Sequence, residues 1–397
     1  MTPNKLKVGI VGGGNESFMG SIHRAAIGQS GRVELVCGAF GSTRQSSFET
    51  GKALKLPTPR VYGTYRDMFR REPTLPKGER MDFVVTLAPN AMHYPIAMSA
   101  IDAGFPVLSE KPFTCNMDEA LNLSRKQKAS GLPYGIAMAY QGYPMLQKVR
   151  EIIREKTTIG NVRKVIVLYP LGWLAQRLET AGNKHAGWRT DPRRCGPAGC
   201  LADLGTHCFY MAEWLSGLTI SEVCADLRST VAGRILDDDC SILARFTTGA
   251  RAIFLTSQVA TGRNDGLSIE VAGDKGSLTW MQRMPERLLL REPDCSEKIL
   301  PGDLVPERAG PRPAPYGSNA AYIDALAATY RAFADRLDAA NAKGTPPPSP
   351  VGFMTIEEGL RAVVFVDAVL KNTAAPEEGA TPPTKWTPVT VPPIPEL

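Results

Sequence analysis

Three side chains have the types and spacing for proton work on a hydroxyl group: Lys111, Asp203 and His207. Lys111 lies in Phe105-Pro106-Val107-Leu108-Ser109-Glu110-Lys111-Pro112, a short apolar run that ends in an acid, a base and a proline. The proline marks a constrained peptide bond after Lys111, and only X–Pro bonds adopt cis at low cost. Asp203 and His207 stand four residues apart in Leu201-Ala202-Asp203-Leu204-Gly205-Thr206-His207. On an α-helix that spacing puts both on one face, within touching distance. A carboxylate beside an imidazole fixes its tautomer and stabilises its charged form, as a general base requires. Each signal alone has a plainer account, a solvated Glu–Lys pair or a surface Asp–His pair. Cys195, Cys200, His207 and Cys208 have the residue types of zinc ligands, but their spacing matches no zinc ribbon or finger, and no metal is expected.

The elements that must position these groups read as strand and helix in alternation. Asp82–Ala88 is a buried-type strand, Tyr94–Gly104 has helical spacing with a glycine stop, and the run before Lys111 is a second strand. Strand–helix–strand of this length is a βαβ unit in a parallel sheet, whose ligands bind beyond the carboxyl ends of the strands. Lys111 stands at such an end. So do Pro89, Asn90 and His93, which follow what counts as a fourth strand ending in Thr86-Leu87-Ala88. The first strand, Lys5–Val11, runs into Gly12-Gly13-Gly14-Asn15-Glu16-Ser17-Phe18-Met19-Gly20 and then a helical pattern through Ile22, Ala25, Ala26 and Ile27. Glycines at this turn let the backbone approach a pyrophosphate, which a helix N-terminus favours. Gly12 and Gly14 fit the G-x-G-x-x-G pattern; Ser17 takes the third place, and Gly20 comes later. The second strand, Val33–Phe40, ends without the acid that a NAD site often places there. It continues as Gly41-Ser42-Thr43-Arg44, where Ser42 and Arg44 suit a 2′-phosphate, so NAD and NADP both stay open with a tilt to NADP.

A helix is read at Tyr65–Arg70, and a strand at Tyr134–Ala139 closes this first region. After Tyr140 the pattern changes. Met145–Glu155 is an amphipathic helix, Arg163–Tyr169 a strand, and Gly172–Gly199 a long loop. The loop gathers Lys184, His185, Arg189, Arg193 and Arg194 with Asp191 and Trp188, and it leads directly into an expected helix over Ala202–Leu215. Trp188 and Arg189 are therefore candidates for substrate contact, by stacking and by bidentate hydrogen bonding. Strand-like runs at Glu222–Arg228, Ser241–Phe246, Ala250–Gln258, Leu267–Ala272 and Gly276–Met281, joined by tight turns, predict a largely antiparallel sheet. Leu288–Tyr316 reads as proline-rich loop, Ala320–Asn341 and Thr355–Asn372 as helices, and the tail from Ala374 as extended or poorly ordered.

At 397 residues the chain exceeds one ordinary core, and two domains are expected. The boundaries fall at 1–139, 140–373 and a proline-rich tail, 374–397. A formal charge of +6, without basic runs or interleaved aromatics, speaks against a nucleic-acid binder. No apolar signal core and no run of membrane length is found, and the eight scattered cysteines suit reduced thiols, so a cytoplasmic protein is expected.

Five motifs make this reading specific. The glycine turn with Met19-Gly20-Ser21-Ile22-His23, then Pro89-Asn90-Ala91-Met92-His93, Glu110-Lys111-Pro112, Asp203-Leu204-Gly205-Thr206-His207 and Gly273-Asp274-Lys275-Gly276-Ser277-Leu278 occur in this order. That order resembles the glucose–fructose oxidoreductase / inositol dehydrogenase / MocA family over roughly residues 5 to 372, nearly the whole chain. The resemblance implies an α/β protein: an N-terminal Rossmann doubly wound parallel sheet, then an α/β domain with an open, mostly antiparallel sheet often used to oligomerise. It implies a nicotinamide cofactor, NAD or NADP, at Gly12, Gly14, Phe18, Met19, Pro89, Asn90, His93, Glu110 and Lys111, to which the end of the second strand adds Ser42 and Arg44. It implies that Lys111 and His207, supported by Asp203, act on a sugar or cyclitol hydroxyl; Tyr140 is also expected to face substrate, beside Trp188 and Arg189 from the loop. A homo-oligomer, dimer or tetramer, is expected. Two alternatives remain: a glycoside hydrolase that keeps NAD bound and oxidises its sugar transiently, and a cofactor-binding sensor without turnover. The extra residues Asn15–Ser17 and the missing acid after the second strand depart from the family's pattern.

Overall fold

The computed structural model describes residues 5–264, 266–301, 320–342, 344, 352–373 and 386–394. The chain divides into two compact units, one of residues 1–142, 320–360 and 393–397, the other of residues 143–319 and 361–392.

In the first unit five strands alternate with helices. β1 (Leu6–Gly12), β2 (Val33–Ala39), β3 (Phe83–Leu87), β4 (Val107–Ser109) and β5 (Tyr134–Ile136) form one parallel sheet in the order β2-β1-β3-β4-β5. The strands read as unbroken apolar runs because helices cover both faces of such a sheet; all five residues of β3 are buried. The helices are α1 (Phe18–Ser30), α2 (Arg44–Ala53), α3 (Tyr65–Arg71), α4 (His93–Asp102) and α5 (Met117–Ser130). Side chains of Ser17, Thr43, Thr64 and Asn116 cap α1, α2, α3 and α5, accepting main-chain N–H groups that the first turn leaves without partners. The strand counted as fourth is third in the sheet: between β2 and β3 the chain makes only an isolated bridge, Val61 to Gly38. The strand expected over Tyr134–Ala139 stops at Ile136, and Ala139–Gly142 tightens into a 3-10 turn.

The second unit is built on a nine-stranded sheet. Its elements begin with α6 (Pro144–Glu155), β6 (Val162–Pro170), α7 (Lys184–Arg189), α8 (Pro192–Cys195) and α9 (Thr206–Ser216). Then come β7 (Ile220–Arg228), β8 (Asp239–Phe246), β9 (Arg251–Ser257), β10 (Ser268–Gly273), β11 (Ser277–Met281), β12 (Arg287–Arg291) and β13 (Glu297–Pro301). The helices α10 (Ala320–Asn341) and α11 (Ile356–Thr373) and the short β14 (Thr387–Pro388) complete the chain. The sheet order is β13-β12-β11-β10-β6-β9-β8-β7-β14. Every described pair is antiparallel except β6 with β9.

Two loop expectations are corrected here. The segment 172–199 contains α7 and α8, each started by an acceptor side chain, Asn183 or Asp191. Residues 287–301 form β12 and β13, because Leu288 and Leu290 alternate into the core; the rest of the expected loop lies outside the described residues. In the tail, Thr387 and Pro388 pair with Val223 and Glu222, while 374–385 and 395–397 lie outside them.

α10 belongs to the first unit. It buries Leu326, Tyr330, Phe333 and Leu337 in the same core as Val8, Ile10, Ile22 and Ala26. Among the described residues no helix is long and apolar enough to cross a membrane.

Candidate active site

In the first unit, the carboxyl ends of β2, β1, β3 and β4 lie side by side, with the order reversing between β1 and β3. A doubly wound sheet binds its ligand at that reversal. Gly12 and Gly13 have left-handed backbones, φ 86° and 65°. A Cβ on Gly12 would sit 2.6 Å from the Leu87 carbonyl, and one on Gly14 2.7 Å from the Phe40 carbonyl. Only glycine lets the turn lie this close to the ends of β2 and β3. Asn15–Glu16 extend the turn up to the cap, whose Ser17 hydroxyl accepts the Gly20 N–H at 3.0 Å. A Cβ on Gly20 would collide with the Gly13 carbonyl. Gly20 thus supplies the close helix-to-turn packing asked of the third glycine, three residues later than the pattern places it. This turn at the mouth of α1 fits a dinucleotide pyrophosphate.

The other predicted residues of this edge fall into exposed and buried sets. Phe18 is exposed, Met19 is partly buried against the core, and Ser42 and Arg44 are exposed at the start of α2. The Arg44 guanidinium lies 5.5 Å from the Phe48 ring centroid. Pro89 and Lys111 are half-buried, and Asn90 is buried. Lys111 follows β4 by two residues, and the Lys111–Pro112 bond is cis. His93 is buried between two carbonyls, its Nδ1 2.7 Å from Pro112 O and its Nε2 3.0 Å from Ala88 O. Burial holds its ring below the ordinary histidine range, against the opposing pull of the Pro112 carbonyl. His93 therefore ties the ends of β3 and β4 together. Glu110 is buried and meets His23, whose other ring nitrogen meets Tyr330. Tyr140 is also buried, edge-on to Tyr322 at 6.5 Å between centroids.

In the second unit, Asp203 does not lie on an α-helix. Leu201–Gly205 is a π-helical turn, and α9 begins after it. A turn closed by i→i+5 bonds thus takes the place of the α-helical turn expected there. Asp203 Oδ2 accepts a hydrogen bond from Gln258 Nε2 at 2.9 Å and lies 3.6 Å from Arg189 Nε. Asp237 holds the entry to the turn, its two oxygens accepting the Gly199 and Leu201 N–H groups at 2.6 Å each. His207 is 7% exposed, its ring 5.8 Å from that of Tyr169. The Arg189 guanidinium stacks on Trp188 at 4.2 Å and faces Trp173 at 5.7 Å. The structure thus brings Trp188 and Arg189 to Asp203.

Tyr169, Trp173 and Gln258 were missed in the sequence, as were His23 and Tyr330. Tyr169 and Gln258 share a signal that pairing alone reveals: they end β6 and follow β9, the one parallel pair among the described strands of this sheet. Cys195, Cys200 and Cys208 are reduced thiols. Cys195 Sγ contacts the Ala198 carbonyl, Cys200 Sγ the Thr256 hydroxyl, and burial pushes Cys200 and Cys208 up.

Comparison with known proteins agrees with this architecture. Uncharacterized oxidoreductase YfiI of Bacillus subtilis is 31% identical over 286 residues, 71% of this chain and 72% of its own length. Levoglucosan dehydrogenase of Pseudarthrobacter phenanthrenivorans is 25% identical over 298 residues, 69% and 73% of the two chains. The crystal structure of an inositol dehydrogenase homolog from Azotobacter vinelandii, complexed with NAD+, superposes with a TM-score of 0.85 at 26% identity, covering 98% of both chains. Residues 6–137 match the oxidoreductase family's NAD-binding Rossmann fold and residues 146–279 its C-terminal domain, and the chain belongs to the GFO/IDH/MocA oxidoreductase family.

Proposed function

We propose that this oxidoreductase is a nicotinamide-dependent dehydrogenase acting on a secondary hydroxyl of a sugar, cyclitol or related polyol. The observation that carries the reading is Lys111, a half-buried cation held just beyond β4 at the ligand edge of an NAD-binding Rossmann unit. Relatives named levoglucosan dehydrogenase and inositol dehydrogenase homolog, the latter also crystallised with NADH and myo-inositol, favour a polyol as the alcohol.

The roles follow from proton bookkeeping on the hydroxyl. The bound dinucleotide supplies the hydride acceptor. His207 takes the hydroxyl proton, and the Lys111 ammonium holds the oxygen and stabilises its developing negative charge as the carbonyl forms. Asp203, fixed by Gln258, keeps negative charge in the same unit as His207 and favours the imidazolium produced. Trp188 and Arg189 read the substrate, the indole by stacking on the apolar face of a ring. We also assign a homo-oligomer to the chain, through the exposed face of the nine-stranded sheet.

The test is absorbance of reduced nicotinamide in purified protein offered NAD+ or NADP+ with levoglucosan, myo-inositol, scyllo-inositol, glucose and aryl glycosides. Oxidation of at least one alcohol is expected. Cleavage of a glycoside without added cofactor and without net reduction would replace this reading with the redox-neutral hydrolase, and binding without any turnover would replace it with a sensor.

A further inference from the structure

A buried polar chain lies beneath the Glu110-Lys111-Pro112 turn, and the reaction as described leaves it without a role. His23, on α1, is 0% exposed. Its Nε2 stands 2.7 Å from Glu110 Oε1, and its Nδ1 2.7 Å from the Tyr330 hydroxyl of α10. The second carboxylate oxygen, Glu110 Oε2, accepts the main-chain N–H of Lys111 at 3.1 Å. The Glu110 N–H in turn donates to the Thr86 carbonyl on β3 at 3.1 Å.

A neutral imidazole satisfies every group in this chain. A carboxylate only accepts, so the ring nitrogen facing it carries the hydrogen, and the other is a lone pair that accepts the phenol O–H. Burial, reinforced by Glu110, pushes the Tyr330 phenol well above its usual range, so the hydroxyl keeps the proton it would donate. With that tautomer the direction runs from Tyr330 to His23, from His23 to Glu110, and from the Lys111 N–H to Glu110. Such a chain is expensive to bury unless complete, and when complete it fixes its members closely. Its three side chains come from three elements. α1 starts at the glycine turn, the segment after β4 carries Lys111, and α10 returns from the far end of the sequence to close the set.

We infer that His23, Glu110 and Tyr330 are positioning residues that fix the Lys111 main chain, and so the direction of its ammonium group, against the helix that begins at the dinucleotide turn. Glu110 then acts through the Lys111 N–H and not by touching the dinucleotide. This rests on the role proposed for Lys111.

The test uses the full chain saturated with NADH and labelled with 15N-lysine, the Lys111 amide being the signal lost in Lys111→Arg. The carboxylate should hold that amide proton downfield. Glu110→Ala and Tyr330→Phe should both move it, while Glu110→Gln, which can still bridge His23 and the Lys111 N–H, should move it less than Glu110→Ala. With the best alcohol of the panel, kcat should fall about 100-fold in Glu110→Ala with NADH affinity kept, as a small misplacement of a catalytic group does. Glu110→Gln should recover most of that loss. An amide unmoved in both Glu110→Ala and Tyr330→Phe overturns the inference, and so does loss of NADH affinity in Glu110→Ala. Should Tyr330→Phe or Glu110→Ala not fold, Glu110→Gln against wild type reads the same contact. Its acceptor becomes a neutral amide oxygen, so the Lys111 proton must shift upfield, and no shift overturns the inference. If the amide responds as expected but no alcohol is oxidised, the dehydrogenase reading fails and the positioning role stands.

Discussion

Lys111 and His207 carry different halves of the proposed proton chemistry, so their loss should look alike in rate and unlike the loss of a binding residue. Lys111→Ala and His207→Ala are each expected to lower turnover by roughly two to four orders of magnitude with dinucleotide affinity retained, the range for removing acid–base assistance. Single-turnover reduction of the dinucleotide checks this, and near-normal turnover in His207→Ala would remove it from the mechanism. Trp188 stands in another relation to the reaction, since its ring is shared with the Arg189 guanidinium at 4.2 Å. Trp188→Ala should raise KM for the alcohol and leave dinucleotide affinity alone; unaltered steady-state constants would confine Trp188 to packing Arg189. Ser42 and Arg44, both exposed at the start of α2, bear on the choice of dinucleotide. Ser42→Ala and Arg44→Ala should weaken NADP more than NAD in fluorescence titrations, because only a 2′-phosphate distinguishes the two there. Equal effects on both would show that these side chains meet no phosphate.

Among the elements, the ends of β3 and β4 depend on His93, which sits between the Ala88 and Pro112 carbonyls. Its folded-state pKa is depressed, mainly by burial. A depressed value means that the unfolded chain binds the proton more readily, so acid favours unfolding. The contribution is full above the unfolded value of about 6.5 and is lost as pH falls towards the folded one. Urea unfolding at neutral and mildly acidic pH should therefore show a loss in wild type that His93→Gln reduces; equal losses in both would assign the pH dependence to other groups. His93 also shows how far the sequence could be read. Its place after a strand end was legible from the alternation of strand and helix, as were those of Gly12, Lys111 and the helix Ala320–Asn341. What periodicity could not carry was contact across hundreds of residues, such as His23 with Tyr330, or the partners of Asp203. The helix type around Asp203 was hidden for a local reason. A π turn leaves the same apolar pattern as an α-helix over five residues, so nothing in Leu201–Gly205 announced it. Likewise β12 and β13 hid in a proline-rich region, because two alternating leucines are a weak strand signal beside so many turn residues.

For the molecule as a whole, the remaining question is what covers the second face of the nine-stranded sheet. α6 packs against β11 and β12 and α9 against β6 and β9, and the buried Val165, Val167, Ala252 and Phe254 alternate to one side of the sheet. On the other side, Ile166 and Leu168 of β6 stand opposite Ile253 and Leu255 of β9, and Ile253 stands opposite Leu243 of β8. Leu243 is 45% exposed and Leu255 41%. A sheet face that meets water normally alternates to polar residues, and scattered single leucines need no account. Apolar residues contiguous across three strands do need one, since patches of this kind mark interaction surfaces. The proposed self-association would use this face, with two copies removing each other's leucines from water. Light scattering after gel filtration should find wild type as a dimer or tetramer. The double variant Leu243→Lys, Leu255→Lys places like charges in the centre of the patch and should elute as a smaller species that still binds NADH. A monomeric wild type, or an oligomer indifferent to both lysines, would place the contact elsewhere or remove it.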